Sequence, residues 1–162
     1  MFVEELIEVS DSPDDRWKVL VVGNNPTELG PVFDRLQGIR GKKVSTEMAF
    51  DLRTILQRLI SFHPQHILID DNIGNHALHD MVTRLQRRKT RNVPITVLKN
   101  SNYHEAISSG VMNYILKKNL TSELLYRELL NSIQFLKTQQ YWEKAYRKRK
   151  GQIKRLVKSV IG

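Results

Sequence analysis

Cysteine is absent from this 162-residue sequence, and so is any long apolar run. Without cysteine the chain forms no disulfide and offers no thiolate to a metal ion or to nucleophilic catalysis. No stretch approaches the roughly 20 apolar residues that a membrane-spanning helix needs. The N-terminus also lacks the basic segment followed by an apolar one that marks a signal peptide. We therefore expect a cytoplasmic protein.

Motifs of several common enzyme and cofactor sites are missing as well. The sequence contains no Gly-rich dinucleotide loop, no P-loop and no arrangement that resembles a Ser–His–Asp triad. Two pairs of histidines lie three residues apart, His63 with His66 and His76 with His79. No third strong ligand accompanies either pair, so we expect no metal site there.

Positive charge is present in excess, and it is unevenly distributed. The chain has a net charge of +9, but residues 131–162 carry nine basic residues and one acidic residue. Residues 1–130 are therefore almost neutral. An electrostatic partner is expected at the C-terminal segment and not on the body of the protein.

Apolar segments alternate with segments of helical periodicity along most of the chain. The predicted strands are WKVLVVG (17–23), KKVSTEMAF (42–50), HILID (66–70), VPITVL (93–98) and MNYIL (112–116). The predicted helices are 27–39, 51–63, 76–89, 101–110 and a long one that starts near Leu120 and extends to about Arg149. Strands that are apolar throughout and separated by helices predict a parallel sheet covered on both faces.

A doubly wound sheet places its functional site at the carboxyl ends of the strands. The residues that follow the predicted strands are therefore the candidates for such a site: Gly23 to Asn25, Asp70 to Asn72, Lys99 to Ser101, and Lys117.

Four of these segments resemble the signature blocks of the response-regulator receiver domain (CheY-like) in order and spacing. The segments are KVLVVGNNP, HPQHILIDDNIG, VPITVLKNS and GVMNYILKK. The resemblance covers about residues 17–132. It implies a flavodoxin-like, doubly wound five-stranded parallel sheet of order 2-1-3-4-5. We accordingly divide the chain into an acidic leader (1–16), a receiver-like domain (17–132) and a basic helical extension (133–162).

The resemblance also implies roles for individual residues. Asp70 matches the aspartate that accepts a phosphoryl group from a histidine kinase. Asn72 matches the residue whose backbone carbonyl binds Mg²⁺. Lys117 matches the lysine that ends the fifth strand, and Tyr114 matches the aromatic residue that reports phosphorylation.

Three positions depart from the family pattern. The acid pair that holds Mg²⁺ is replaced by Gly23 and Asn24, and the hydroxyl residue that ends the fourth strand is replaced by Lys99. Mg²⁺ prefers carboxylate ligands, and phosphorylation of a carboxylate needs a cation to neutralise the charge that develops. We therefore expect no cofactor. We further predict that Lys99 and Lys117 form a charge cluster with Asp70 in place of the metal.

Structural readings of the same residues remain open. Asp70 could be a solvated acid at the end of a strand, Lys99 could point into solvent, and Tyr114 could be a packing residue. Asp71 could supply a second carboxylate to a metal, but adjacent strand residues face opposite ways. We therefore expect Asp71 to point away from Asp70.

The basic extension combines apolar and cationic residues. Tyr146, Ile153 and Val160 are spaced by seven, although Gly151 interrupts the pattern. The residues that we expect to contact a partner are Trp142, Tyr146, Arg147, Lys148, Arg149 and Lys150. A dimer or partner-docking helix, a helix on a membrane surface or acidic partner, sequence-independent contact with nucleic acid, and a solvated helix face are the alternatives.

The sequence as a whole predicts an atypical receiver domain in two-component-type signalling. We expect it to bind a histidine kinase or a downstream effector, and we do not expect an enzyme beyond residual autophosphorylation from a phosphodonor. The alternatives are a working phosphoacceptor at Asp70 and an adaptor for nucleic acid or a membrane that acts through its tail. A homodimer through the C-terminal helix is a further expectation.

Overall fold

A single parallel sheet organises the part of the chain that the computed structural model describes, which is residues 16–87, 93–100, 111 and 113–161. The five strands have the order β2-β1-β3-β4-β5, as predicted. The strands are β1 (Trp17–Val22), β2 (Val44–Ala49), β3 (His66–Asp70), β4 (Ile95–Lys99) and β5 (Asn113–Leu116). The helices are α1 (Pro26–Gln37), α2 (Leu52–Ser61), α3 (Asn75–Gln86) and α4 (Ser122–Ile161).

The apolar strands are buried on both faces of the sheet, because each face is covered by helices. Val19 and Val21 of β1 belong to a core cluster that includes α1 and α4 side chains. Leu20 and Val22 belong to a second cluster with α2 and α3. This alternation follows from the two-residue period of a strand. It explains why β1 has no polar position within its buried length.

Side-chain caps begin the first two helices. Asn25 accepts a hydrogen bond from the Thr27 backbone amide at the start of α1, and Asp51 caps α2 through Thr54. Aspartate is one of the residue types favoured at a helix N-cap. The hydrogen bonds to Thr54 lower the pKa of Asp51, because they favour its charged form.

The long helix α4 is attached to the body at its first turns. The Arg35 Nε donates to the Leu120 carbonyl at 2.6 Å, and the Ser122 hydroxyl donates to the Arg35 carbonyl at 2.7 Å. The rings of Trp17 and Tyr126 are stacked with their centroids 5.4 Å apart. Buried Leu125, Leu129 and Ile133 then extend the core cluster. The first three turns of α4 are thus part of the domain core.

The structure extends two of the sequence predictions and leaves others untested. α4 continues to Ile161, beyond the predicted end near Arg149, and it passes through Gly151 without interruption. The predicted helix at 101–110 lies outside the described residues, and the domain boundaries remain a prediction. Within the described ranges, no helix has the length and apolar character needed to cross a membrane.

A histidine is buried at the opposite end of the sheet from the candidate site. His66 has no exposed surface, and its Nε2 lies 2.9 Å from the Thr96 hydroxyl. Its Nδ1 has no hydrogen-bond partner. Burial lowers the pKa of His66 to about 3, because desolvation disfavours the charged ring.

Stability is therefore expected to depend on pH through His66. The unfolded chain binds a proton near pH 6.5 and the folded chain does not, so the free energy of unfolding falls as pH drops below 6.5 toward 3. The slope from this residue reaches about 1.4 kcal/mol per pH unit. In His66→Leu we expect a flatter dependence, measured by urea unfolding at several pH values.

The exposed His79 provides the control for this experiment. His79→Gln should keep the pH dependence of the parent protein. An unchanged slope in His66→Leu would show that other groups cause the acid sensitivity.

Candidate functional site

A buried ion pair forms the centre of the carboxyl edge of the sheet. Asp70, the last residue of β3, is only 1% exposed. The Lys117 Nζ, just after β5, lies 2.5 Å from its Oδ1. The same oxygen accepts a hydrogen bond from the Asn72 backbone amide at 2.9 Å. The ion pair connects the ends of two strands that are not neighbours in the sheet.

Asp71 also lies close to this ion pair, which corrects the expectation that it points away. β3 ends at Asp70, and the chain enters a 3-10 turn over Asp71–Ile73. The alternation of strand side chains therefore stops at this point. The Asp71 Oδ1 lies 3.9 Å from the Lys117 Nζ, and its Oδ2 accepts from the Asn100 backbone amide at 3.1 Å. Lys117 thus neutralises two neighbouring carboxylates.

Three asparagines, which we term the amide cluster (Asn24, Asn72 and Asn100), join the ends of β1, β3 and β4. The Asn24 side-chain amide donates to the Asn72 backbone carbonyl at 3.1 Å. The Asn72 amide donates to the Glu28 carboxylate, and the Asn100 amide donates to the Asn72 side-chain oxygen. Both the nitrogen and the oxygen of the Asn72 side chain thus have a hydrogen-bond partner.

Sequence reasoning did not identify Glu28 as a site residue, whereas Asn100 lies in the predicted range Lys99 to Ser101. Glu28 follows the helix cap Asn25 by three residues, a spacing typical of a capping box. That spacing marks the acid as one that lies beside the first helical turn, close to the strand ends. Asn100 directly follows β4, and its position at the carboxyl edge agrees with the one inferred from the topology.

Gly23 contributes no side chain, and the packing around it explains why. Its backbone amide donates to the Ala49 carbonyl at 3.1 Å. A Cβ atom built on Gly23 would lie 2.8 Å from the Leu29 Cδ1. A carboxylate at this position therefore requires that Leu29 of α1 move.

The residues present do not fit the Mg²⁺ ion that the resemblance implies. The carbonyl of Asn72, which is the expected metal ligand, already accepts a hydrogen bond from Asn24. The two positions expected to supply carboxylates carry a glycine and an amide, and the nearby carboxylates of Asp70 and Asp71 lie beside the Lys117 ammonium. In the described part of the chain, no group of three His, Asp or Glu side chains is arranged to hold a metal.

Lys99 lies beside Tyr114, so the part of the predicted charge cluster that forms is the pair of Lys117 with Asp70. Its Nζ is 4.6 Å from the centroid of the Tyr114 ring, within the range of a cation–π contact. The sheet register explains this placement. Asp70 pairs with Leu98, so the next residue of β4, Lys99, faces the other side of the sheet. Among the described side chains, the ammonium that contacts Asp70 is that of Lys117.

Tyr114 is a partly buried residue at this edge. It packs against the core cluster that contains Val97 and Ile69. Burial raises the pKa of its hydroxyl, because desolvation disfavours the phenolate. A neutral ring under the Lys99 ammonium is thus the state at physiological pH.

The predicted tail residues are remote from this site along α4. Trp142 and Tyr146 are exposed, and Arg147, Lys148, Arg149 and Lys150 follow them on the same helix. The structure therefore presents two separate candidate regions, the ion pair with its amide cluster and the exposed length of α4.

Comparison with solved structures identifies the architecture. The chemotaxis response regulator CheY4 of Vibrio cholerae aligns over 72% of this chain and 98% of its own, with 22% identity and a TM-score of 0.57. The chain has the receiver-domain fold. A receiver-modulated diguanylate cyclase structure from Pelobacter carbinolicus aligns over 79% of this chain and 98% of its own, with 19% identity and a TM-score of 0.59.

A longer protein contains the same receiver fold. NtrX from Brucella abortus aligns over 84% of this chain, with 20% identity and a TM-score of 0.62, but over only 30% of its own length. No protein-family model matches the sequence, and no curated protein matches it. The receiver fold is therefore identified here by its three-dimensional structure.

Removal of the Lys117 ammonium is expected to destabilise the fold. Lys117→Met leaves the Asp70 carboxylate, whose side chain is 2% exposed, without its counterion. We expect the free energy of unfolding to fall by about 3 kcal/mol. The double variant Asp70→Asn with Lys117→Met should recover most of that loss, as measured by chemical denaturation.

The exposed neighbour Lys118 provides the matched control. Lys118→Met should change the free energy of unfolding by less than about 0.5 kcal/mol. Equal stability of the two lysine variants would contradict a structural role for the ion pair.

Proposed function

We propose that this chain is an atypical receiver domain of two-component-type signalling that acts by binding proteins and has lost the metal-dependent phosphoryl switch. The observation that carries this proposal is the hydrogen bond from the Asn24 amide to the Asn72 carbonyl. A protein group thereby occupies the carbonyl that the family uses for Mg²⁺. The Asn72 carbonyl therefore has a protein partner where the family has a metal ion.

The electrostatics of the site support the same conclusion. Transfer of a phosphoryl group to Asp70 would add negative charge beside Asp71 and Glu28, and such charge needs nearby cations in the transition state. The Lys117 ammonium already pairs with both aspartates. Lys99 faces the Tyr114 ring. The arrangement therefore stabilises an unmodified Asp70 carboxylate better than it stabilises a phosphorylated one.

The proposed partners are a histidine kinase or a downstream effector. The solved structures with this fold include a cyclase described as modulated by its receiver and the longer protein NtrX, of which the fold is only a part. By analogy, we infer that the body of this chain presents surfaces to another signalling protein. It is not an enzyme under this proposal.

A working phosphoacceptor is the second candidate, and one observation favours it. The Glu28 carboxylate reaches Asn72 from α1, and with Asp71 it could supply acidic ligands that the family takes from the end of β1. Residual autophosphorylation of Asp70 would then use these residues in place of the missing acid pair.

Titration with Mg²⁺ and beryllofluoride, which mimics a phosphoryl group, distinguishes the two candidates. We expect the amide NMR signals of Asp70, Lys117 and their neighbours to remain unchanged up to millimolar concentrations of Mg²⁺. The reason is that the Asn72 carbonyl, the expected metal ligand, already accepts a hydrogen bond from Asn24. Saturable shifts that disappear in Asp70→Asn would establish the phosphoacceptor and would contradict the proposal.

Restoration of the acid pair provides the positive counterpart. Asn24→Asp alone should not produce a Mg²⁺-dependent shift. Gly23→Asp combined with Asn24→Asp and Leu29→Ala should produce one, because the Leu29 side chain lies where the new Cβ must go. A shift in Asn24→Asp alone would show that packing at Gly23 does not prevent metal binding.

A further inference from the structure

The C-terminal two thirds of α4 carries an apolar stripe that the body does not cover. Buried positions on α4 end at Ile133. Beyond this point most residues of the helix are exposed, including large apolar side chains. Those that form the stripe are Phe135, Trp142, Tyr146, Ile153, Leu156 and Val160, each at least half exposed.

These residues follow a seven-residue repeat over almost four heptads. One set of positions is 135, 142, 149 and 156, and the other is 139, 146, 153 and 160. The two sets alternate with spacings of four and three, the pattern of the a and d positions of a coiled coil. We call these eight positions the seam. Gln139 and Arg149 are its polar members.

The seam faces away from the body of the domain. At 100° per residue, it is rotated by roughly 120° from the stripe of Leu125, Leu129 and Ile133 that packs against the sheet. A second helix can therefore lie along the seam without meeting the body. Seven of the basic residues point outward from such a pair: Lys137, Lys144, Arg147, Lys148, Lys154, Arg155 and Lys158.

The spacing of the stripe indicates a helical partner. Six of its large apolar side chains lie at the a and d positions, which is typical of a coiled-coil seam. Val157 lies beside the seam, and Tyr141 and Ile161 are exposed apolar side chains outside it. Gly151 lies at an outward position of the repeat, and a Cβ there would meet nothing within 4 Å. The glycine thus leaves the seam intact.

We propose that residues 135–160 pair with the same segment of a second copy of this chain as an antiparallel two-stranded coiled coil. The register that pairs all eight seam positions places Phe135 against Val160 and Trp142 against Ile153 of the second copy. It also places Arg149 against the Tyr146 ring of the second copy, a favourable cation–π arrangement. In a parallel pair, Arg149 would face another Arg149.

The residues that flank the seam favour the same direction. In the antiparallel register Glu143 lies beside Lys150 of the second copy, and Leu136 lies beside Val157. A parallel register would place Glu143 beside Thr138 and Lys150 beside Ala145, so it would form no such ion pair. Glu143 is the single acidic residue of the segment 135–160.

The distribution of charge along the helix supports the antiparallel direction as well. Residues 147–160 contain seven basic residues and no acidic residue, whereas residues 135–146 contain two basic residues and one acidic residue. A parallel pair would bring the two strongly basic halves together. The antiparallel pair places each basic half against the nearly neutral half, and it separates the two receiver-fold bodies by about 40 Å along the helix axis.

The mass of the full-length protein in solution tests the proposal first. By sedimentation equilibrium we expect a dimer. Ile153→Lys should raise the dimer dissociation constant by about 100-fold, because it places an ammonium in the apolar seam. The matched control Gln140→Lys adds the same charge at an outward position and should leave the dimer intact. Arg149→Leu should tighten the dimer.

A charge exchange tests the direction of the helices. Glu143→Lys should weaken the dimer, and the double variant Glu143→Lys with Lys150→Glu should restore it. Because the chain has no cysteine, single cysteines test the register without background. Trp142→Cys and Ile153→Cys should form a disulfide-linked dimer on oxidation only when the two proteins are mixed, as seen on a non-reducing gel.

Several results would overturn the proposal. Efficient self-linkage of each single-cysteine protein alone would establish a parallel pair. A monomer that binds anionic vesicles or nucleic acid in a salt-sensitive way would assign the stripe to those partners. A monomer that becomes dimeric when residues 1–16 are deleted would show that the acidic leader binds the apolar stripe. None of these outcomes depends on the Asp70 site, so the beryllofluoride titration remains a separate test.

Discussion

The buried ion pair between Asp70 and Lys117 is the interaction on which the functional edge of this protein depends. A carboxylate with almost no exposed surface is costly unless a cation and hydrogen bonds compensate for the lost hydration. Lys117 supplies the cation, and the Asn72 backbone amide supplies a hydrogen bond. The position of the turn after β3, and therefore of the amide cluster, follows from this pairing.

The amide cluster joins the strand ends through hydrogen bonds between protein groups. In a metal-dependent receiver the strand ends are bridged by a divalent ion, which couples the site to the solution. Here Asn24, Asn72 and Asn100 bridge the same strand ends through hydrogen bonds. Such bonds are neutral and do not depend on an exchangeable ion.

The first turns of α4 connect this body to the exposed helix. The Arg35 side chain of α1 donates a hydrogen bond to the Leu120 carbonyl, and the Arg35 carbonyl accepts one from the Ser122 hydroxyl. The stacked Trp17 and Tyr126 rings add an apolar contact between β1 and the helix. Because these contacts fix the direction of α4, assembly through its distal seam would also fix the spacing of the bodies.

Much of this architecture could be predicted from the sequence, because it depends on short-range patterns. Apolar strands separated by amphipathic helices indicate the doubly wound sheet, and Asp70, Lys117 and Asn24 follow directly from the strand ends. The contacts of Asp71 and Lys99 could not be predicted in the same way. The turn after Asp70 brings the Asp71 side chain toward Lys117, and the register between β3 and β4 directs the Lys99 side chain to Tyr114.

The sequence by itself determined the order of the elements, the absence of carboxylates at positions 23 and 24 and the heptad spacing along α4, since each is encoded by residues near one another in the chain. The tertiary structure alone decided which lysine reaches Asp70, which carbonyl Asn24 satisfies and which side of α4 the body leaves uncovered. These depend on distances between segments that are far apart in the chain, and such distances are set only when the sheet and its helices pack together.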